Sequence, residues 1–145
     1  MWTIRGLTLA VMLALAGQAG WADDLSDSNR FLCAAVQATV CFEDGECVVD
    51  LPSNLNIPEF VEVDLEAKNL STTAASGLNR MTPIAHVGRE DGKIFLQGFE
   101  MGRAFSWVIN EQTGQVTVAV AFEGTSVAVF GACTPIARPA EADDK

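Results

Sequence analysis

The chain has little of what most catalytic sites are built from. It holds one histidine, His86, in 145 residues. A site needing two imidazoles from one chain is therefore excluded. No cysteine pair has zinc-ligand spacing; Cys41 and Cys47 are separated by five residues. No glycine-rich motif cradles a phosphate. The acidic stretch Glu43-Asp44-Gly45-Glu46 lacks the ligand pattern of a calcium loop. Basic residues are scarce, 9 against 19 acidic, and that balance repels nucleic acid and anionic lipid. Long apolar runs are absent apart from one, which falls short of the ~20 residues that span a bilayer.

That run lies at the N-terminus. Arg5 supplies a positive start, and Leu7 to Leu15 (LTLAVMLAL) is an apolar stretch of signal-peptide length. Gly20-Trp21-Ala22 puts small residues at −3 and −1 before Asp23, predicting a signal peptide over 1–22. A cut after Ala19, with Gly17 at −3, is the alternative. No cysteine stands at a lipoprotein cleavage position. Export to the periplasm or beyond is expected, with no transmembrane anchor after cleavage. Loss of Arg5 leaves eight basic residues against 19 acidic, a net charge of −11. Residues 137–145 read as a disordered acidic tail, which leaves 23–136 as a single domain.

Four cysteines, Cys33, Cys41, Cys47 and Cys133, remain in the exported part. An even number in an oxidising compartment reads as disulfides, with three connectivities open. Turn geometry favours one. Glu43-Asp44-Gly45 fits a three-residue hairpin loop with Gly45 left-handed. Phe42 then pairs with Glu46, and Cys41 lies opposite Cys47 in a non-hydrogen-bonded pair, Cα atoms about 4.5 Å apart. A two-residue loop would set Cys41 against Val48 instead. By elimination Cys33 pairs with Cys133, joining the first strand to the last.

Period-two alternation broken by turn residues dominates the rest. Eight strands are expected: Phe31–Phe42, Glu46–Asp50, Phe60–Leu70, Ile84–Arg89, Lys93–Glu100, Arg103–Asn110, Gln115–Phe122 and Thr125–Cys133. The first also has helix-compatible spacing at Cys33, Ala34, Val36, Gln37 and Val40. Asp91-Gly92, Met101-Gly102 and Glu123-Gly124 mark tight turns. Residues 51–58 read as a connection, and 71–81 as a long stretch without period. The fold class is all-β, an antiparallel meander forming a small up-and-down barrel, with a β-sandwich as the alternative. Val116, Val118, Val120 and Phe122 share one face, as do Phe105, Trp107 and Ile109; these should fill the interior. The opposite face is small and uncharged, so it is expected either to be covered by 51–58 or 71–81 or to dock on a partner.

No catalytic, cofactor-binding or metal residue is assigned. Glu62, Asp64 and Glu66 look like the wet face of a strand, so carboxylate chemistry has no specific candidates. His86, flanked by Ala85 and Val87, has no nucleophile placed beside it. Arg103, two residues before Phe105 and four before Trp107, suits the rim of the core. Arg103, Trp107 and His86 stand as candidates for interaction. The expectation is a non-catalytic binding or interaction module, its partner an envelope protein or a small apolar ligand. A carboxylate-dependent hydrolase is the remaining class.

Four stretches carry a resemblance: Ile57-Pro58-Glu59-Phe60, Leu96-Gln97-Gly98, Gly102-Arg103-Ala104-Phe105-Ser106-Trp107 and Phe130-Gly131-Ala132-Cys133-Thr134. In these the chain resembles uncharacterised secreted proteins of Gram-negative bacteria. The resemblance implies an exported domain and brings no site residues with it.

Overall fold

Ten antiparallel strands form one sheet that curls into a half-barrel. The structure is a computed structural model and describes residues 24–136. The signal peptide expected over 1–22 and the tail expected over 137–145 lie outside the described residues. The strands are β1 Arg30–Phe42, β2 Cys47–Asp50, β3 Phe60–Asp64, β4 Asn69–Thr72, β5 Met81–Pro83, β6 His86–Glu90, β7 Lys93–Glu100, β8 Arg103–Asn110, β9 Gln115–Phe122 and β10 Thr125–Pro135. Their order is β5-β4-β3-β1-β10-β9-β8-β7-β6, with β2 also pairing β1. First and last strands are neighbours, as a barrel requires.

The count of eight is corrected to ten. The alternating run from Phe60 to Leu70 is a hairpin, not one strand. Asp64 Oδ1 accepts the Ala67 N–H at 2.8 Å, and Lys68 takes φ 53°. Leu65 stays buried through this turn, so the alternation persists while the chain reverses. The second extra strand is β5, which begins at the last residue of the stretch 71–81. Only Ile84-Ala85 separates β5 from β6. Ile84 N–H donates to Lys68 C=O and Ala85 N–H to Gln97 C=O, both 2.8 Å. The run 81–90 thus bonds β4 with its first part and β7 with its second. The two ends of the curled sheet adjoin there.

Alternation sends one face of each strand into the lumen. Phe31, Val63, Ile94, Leu96 and Ile109 are fully buried at its lower end. Leu25 plugs that end from the segment before β1, and its N–H donates to Glu111 C=O at 2.6 Å. Arg89 fastens the plug: Nη1 donates to Ser26 C=O and Nη2 to Ser28 C=O, and it pairs with Glu111 at 2.9 Å.

Both disulfides are present and no described cysteine is free. Phe42 N–H donates to Glu46 C=O at 2.9 Å, and Gly45 sits at φ 88°. The three-residue loop therefore sets Cys41 opposite Cys47, Cα atoms 4.1 Å apart. Cys33 and Cys133 pair across β1 and β10, Cα atoms 3.9 Å apart.

Candidate functional site

The lower lumen is filled by large side chains, but the upper lumen is not. Ala35 of β1, Val118 and Val120 of β9, and Val127, Val129 and Gly131 of β10 are too small to meet across it. They leave a partly open cavity of about 210 Å³. Trp107 and Phe105 form its β8 wall. Phe105 lies against Gly98 on β7, where any side chain would occupy the ring's place: a Cβ there would stand 2.4 Å from the ring. Glycine at 98 thus lets the aromatic ring lie against the backbone and face the cavity.

Residues 51–59 cross the top. Pro52–Leu55 forms a 3₁₀ turn that ends on Asn56 in the left-handed conformation, φ 57°. Ala35 N–H, at the β1 bulge, donates to Glu59 C=O at 2.8 Å. Leu55 and Ile57 then pack against the core and line the cavity. This corrects the alternative in which 51–58 covers the outer face. The connection roofs the lumen instead, because its apolar side chains are spaced to reach the underfilled end.

The rim is polar and small. Arg80 pairs with Glu100 at 3.0 Å, and its Nη1 donates to Asn56 C=O at 3.4 Å. Thr72 N–H donates to Arg80 C=O at 3.0 Å, and Arg80 N–H to Thr72 Oγ1 at 2.9 Å, which closes the loop that presents Arg80. Arg103 stands directly across the β7–β8 ladder from Glu100. Its guanidinium lies over the Phe122 ring, 5.2 Å from the centroid. Arg80, Glu100 and Arg103 are the charged residues lining the cavity, one carboxylate against two guanidinium groups. Among the described residues, Thr82 is the buried polar residue, and it lines the same space.

Two of the three interaction candidates from sequence meet here. Trp107 is buried on the wall and Arg103 exposed on the rim. His86 does not join them: it is exposed on the outer face, opposite Gln97 at the start of β6. Sequence reasoning missed Arg80, Glu100, Leu55 and Ile57. Arg80 lies in the stretch without period, and the Leu55–Ile57 spacing is hidden between prolines. Glu100 carried a usable signal, since it faces Arg103 across a two-residue turn.

The outer face of β7 to β10 is open. Across the ladders, Phe130, Thr117, Val108 and Phe95 form one row; Ala128, Ala119, Ser106 and Gln97 form the next. A third row runs Ser126, Ala121, Ala104 and Phe99. None of the twelve positions is charged. Nothing in the described chain covers most of them: Ala104, Thr117, Ala119 and Ala121 are all exposed.

Glu62 and Asp64 form ion pairs with Arg30, at 3.8 and 3.4 Å, and Glu66 accepts a hydrogen bond from Asn29 Nδ2 at 3.0 Å. These carboxylates serve the surface, away from the cavity. Among the described residues no group of three or more histidine, cysteine or acidic side chains is placed to hold a metal ion. No described helix is long and apolar enough to cross a membrane. No protein-family model matches the chain, and no curated protein is significantly similar to it.

Proposed function

We propose that this is a non-catalytic binding domain of the bacterial cell envelope, periplasmic or secreted, whose half-barrel takes a small apolar group into its upper lumen. The observation that carries this is the cavity itself, walled by valine, alanine and aromatic side chains and open at a rim of three charged residues. Filled lumens are usual in small eight-stranded barrels, and an underfilled one forfeits packing contacts. A dry apolar cavity of ~150 Å³ accepts benzene. The volume here, about 210 Å³, is below the ~300–1,000 Å³ of pockets that enclose whole drug-sized ligands. The domain therefore binds part of a ligand and leaves the rest at the rim. Two disulfides suit an oxidising compartment. The apolar run at 7–15 supports export to it.

A hydrolase reading finds less support. The cavity lining carries a single carboxylate, Glu100, already held by Arg80, and no histidine. Chemistry that needs two carboxylates has no pair there.

Native mass spectrometry of protein purified from the periplasm without reductant tests the proposal. A mass four protons below the reduced chain, plus a reproducible small adduct, is expected. Substituting Val120→Trp fills the lumen and should remove the adduct while the protein stays folded. An adduct unaffected by filling places the ligand elsewhere and ends the cavity reading.

A second reading rests on the uncharged outer face. In a chain so acidic, twelve adjoining positions without charge are a surface on which an envelope protein can dock without desolvating charges. A photocrosslinker at Ala119 should then capture one protein, and adding Ala121→Glu on the same exposed face should abolish the capture. Equal labelling of both forms, or none, argues against it.

A further inference from the structure

Arg103 differs from the other arginines of the described domain. Arg30 reaches Glu62 and Asp64, Arg80 reaches Glu100, and Arg89 reaches Glu111. Among the described residues no carboxylate lies within ion-pair distance of Arg103. It lies on the face of Phe122, on the rim of the apolar cavity. A guanidinium on an aromatic face keeps its edge free to donate. Its five N–H donors form a planar fork that matches a carboxylate or a phosphate.

We propose that the cavity binds a single-chain amphiphile with an anionic head, its alkyl tail among the lumen valines and its head on Arg103. This rests on the cavity reading above and adds the ligand's chemistry to it. Three observations converge. The tail site is apolar, with Val118, Val120, Val127, Val129 and Trp107 around it. Scaled from the ~150 Å³ that holds benzene, its volume suits a chain of about eight carbons. The rim carries an excess of one positive charge, on a chain whose formal net charge is −10. That local excess draws an anion to the one place where its tail can be buried, against the field of the whole domain. Phe122, under the guanidinium, holds it over the rim through a cation–π contact.

The head decides the affinity difference between ligands, while the tail alone sets the binding they share. Octanoate, octyl phosphate, 1-octanol and octylammonium are therefore the probes, titrated while Trp107 fluorescence is followed. Both anions should bind more tightly than octanol, and octylammonium more weakly. Arg103→Gln should weaken octanoate about tenfold, the scale of one charge-assisted hydrogen bond, and leave octanol unchanged. Arg103→Lys keeps the charge without the fork and should fall between. Octanol binding to both forms also shows that the substituted protein is folded. Octanoate and octanol binding alike, or an Arg103→Gln form that binds octanoate normally, overturns the head-group assignment and leaves the cavity reading standing. No binding of any probe, with Val120→Trp indistinguishable from the parent, overturns both. Sedimentation with phosphatidylglycerol vesicles separates the sources of the anion. A free amphiphile as ligand requires that the protein stay in the supernatant; Arg103-dependent sedimentation would reassign the site to a lipid in the bilayer.

Discussion

Gly131 sits where β10 passes the bulge of β1. The ladder shifts register between Ala35 and Gln37, and Gly131 pairs Ala35 at the edge of that shift. A Cβ on Gly131 would stand 2.0 Å from Ala34 C=O. The obstacle is backbone, so it cannot swing away as a side-chain tip can. Gly131→Ala should therefore destabilise the domain by about 2 kcal/mol or more, since β1 and β10 must part or the bulge must move. Gly88 is the control within the same sheet. A Cβ there meets only the Phe95 Cβ at 3.9 Å, an ordinary contact. Gly88→Ala should be neutral or slightly stabilising in urea unfolding, because alanine restricts the unfolded chain. Equal effects of the two substitutions would mean that the bulge relaxes freely.

The same bulge explains what was and was not legible along β1. Cys33 and Ala35 face the lumen at odd positions, Ala38 and Val40 at even ones. Val36, the inserted residue, is 66% exposed. A strand whose parity flips midway has apolar spacings of two, then three, then two. The flip leaves Cys33 and Val40 buried seven residues apart, about two helical turns, which is why the first strand carried a helical signal although Val36 and Gln37 between them are exposed. The hairpins from β6 to β10 were legible because Asp91-Gly92 and Met101-Gly102 hold positive φ at both turn residues. The β3–β4 turn was not, because it uses Asp64 and Lys68 with no glycine. In the site, the aromatic wall at 105 and 107 was legible from alternation alone. The roof at 55–57 was not, since it depends on how a 3₁₀ turn aims its side chains.

That roof should also respond to pH. Asp50 ends β2 and accepts Asn54 Nδ2 and Leu51 N–H, both at 2.7 Å. The bond from Asn54, then that from Leu51, holds its carboxyl below the ordinary 3.8. A carboxyl lowered on folding stabilises above its unfolded value and loses that contribution as pH falls through the folded one. The 3₁₀ turn should therefore be intact from neutral pH down to about 4 and loosen below it. Carboxyl ¹³C shifts should titrate Asp50 with a midpoint under 3.8. Asn54→Ala should move that midpoint up. An unmoved midpoint would transfer the effect to the Leu51 N–H.

At the scale of the whole molecule, the two disulfides do different things because they close different lengths of chain. Cys41–Cys47 spans a sequence separation of 6 and repeats what the hairpin already enforces. Cys33–Cys133 spans 100 and ties β1 to β10, the pairing that turns a meander into a curled sheet. On the chain-entropy model the long link removes about 4–5 kcal/mol of denatured-state freedom, the short one about 2. The long link also lies in the lumen, with both cysteines buried, so its removal leaves a packing defect beside the cavity. The Cys33→Ala/Cys133→Ala protein should thus lose roughly twice the stability lost by Cys41→Ala/Cys47→Ala in urea unfolding. Octanoate binding should weaken only in the first, because Cys33 lines the cavity and Cys41 does not. The reverse ranking would locate the structural burden in the Phe42–Glu46 hairpin. The barrel would then be held by its ladders and by Leu25 at its lower end, and the β1–β10 seam would stay closed without a covalent stitch.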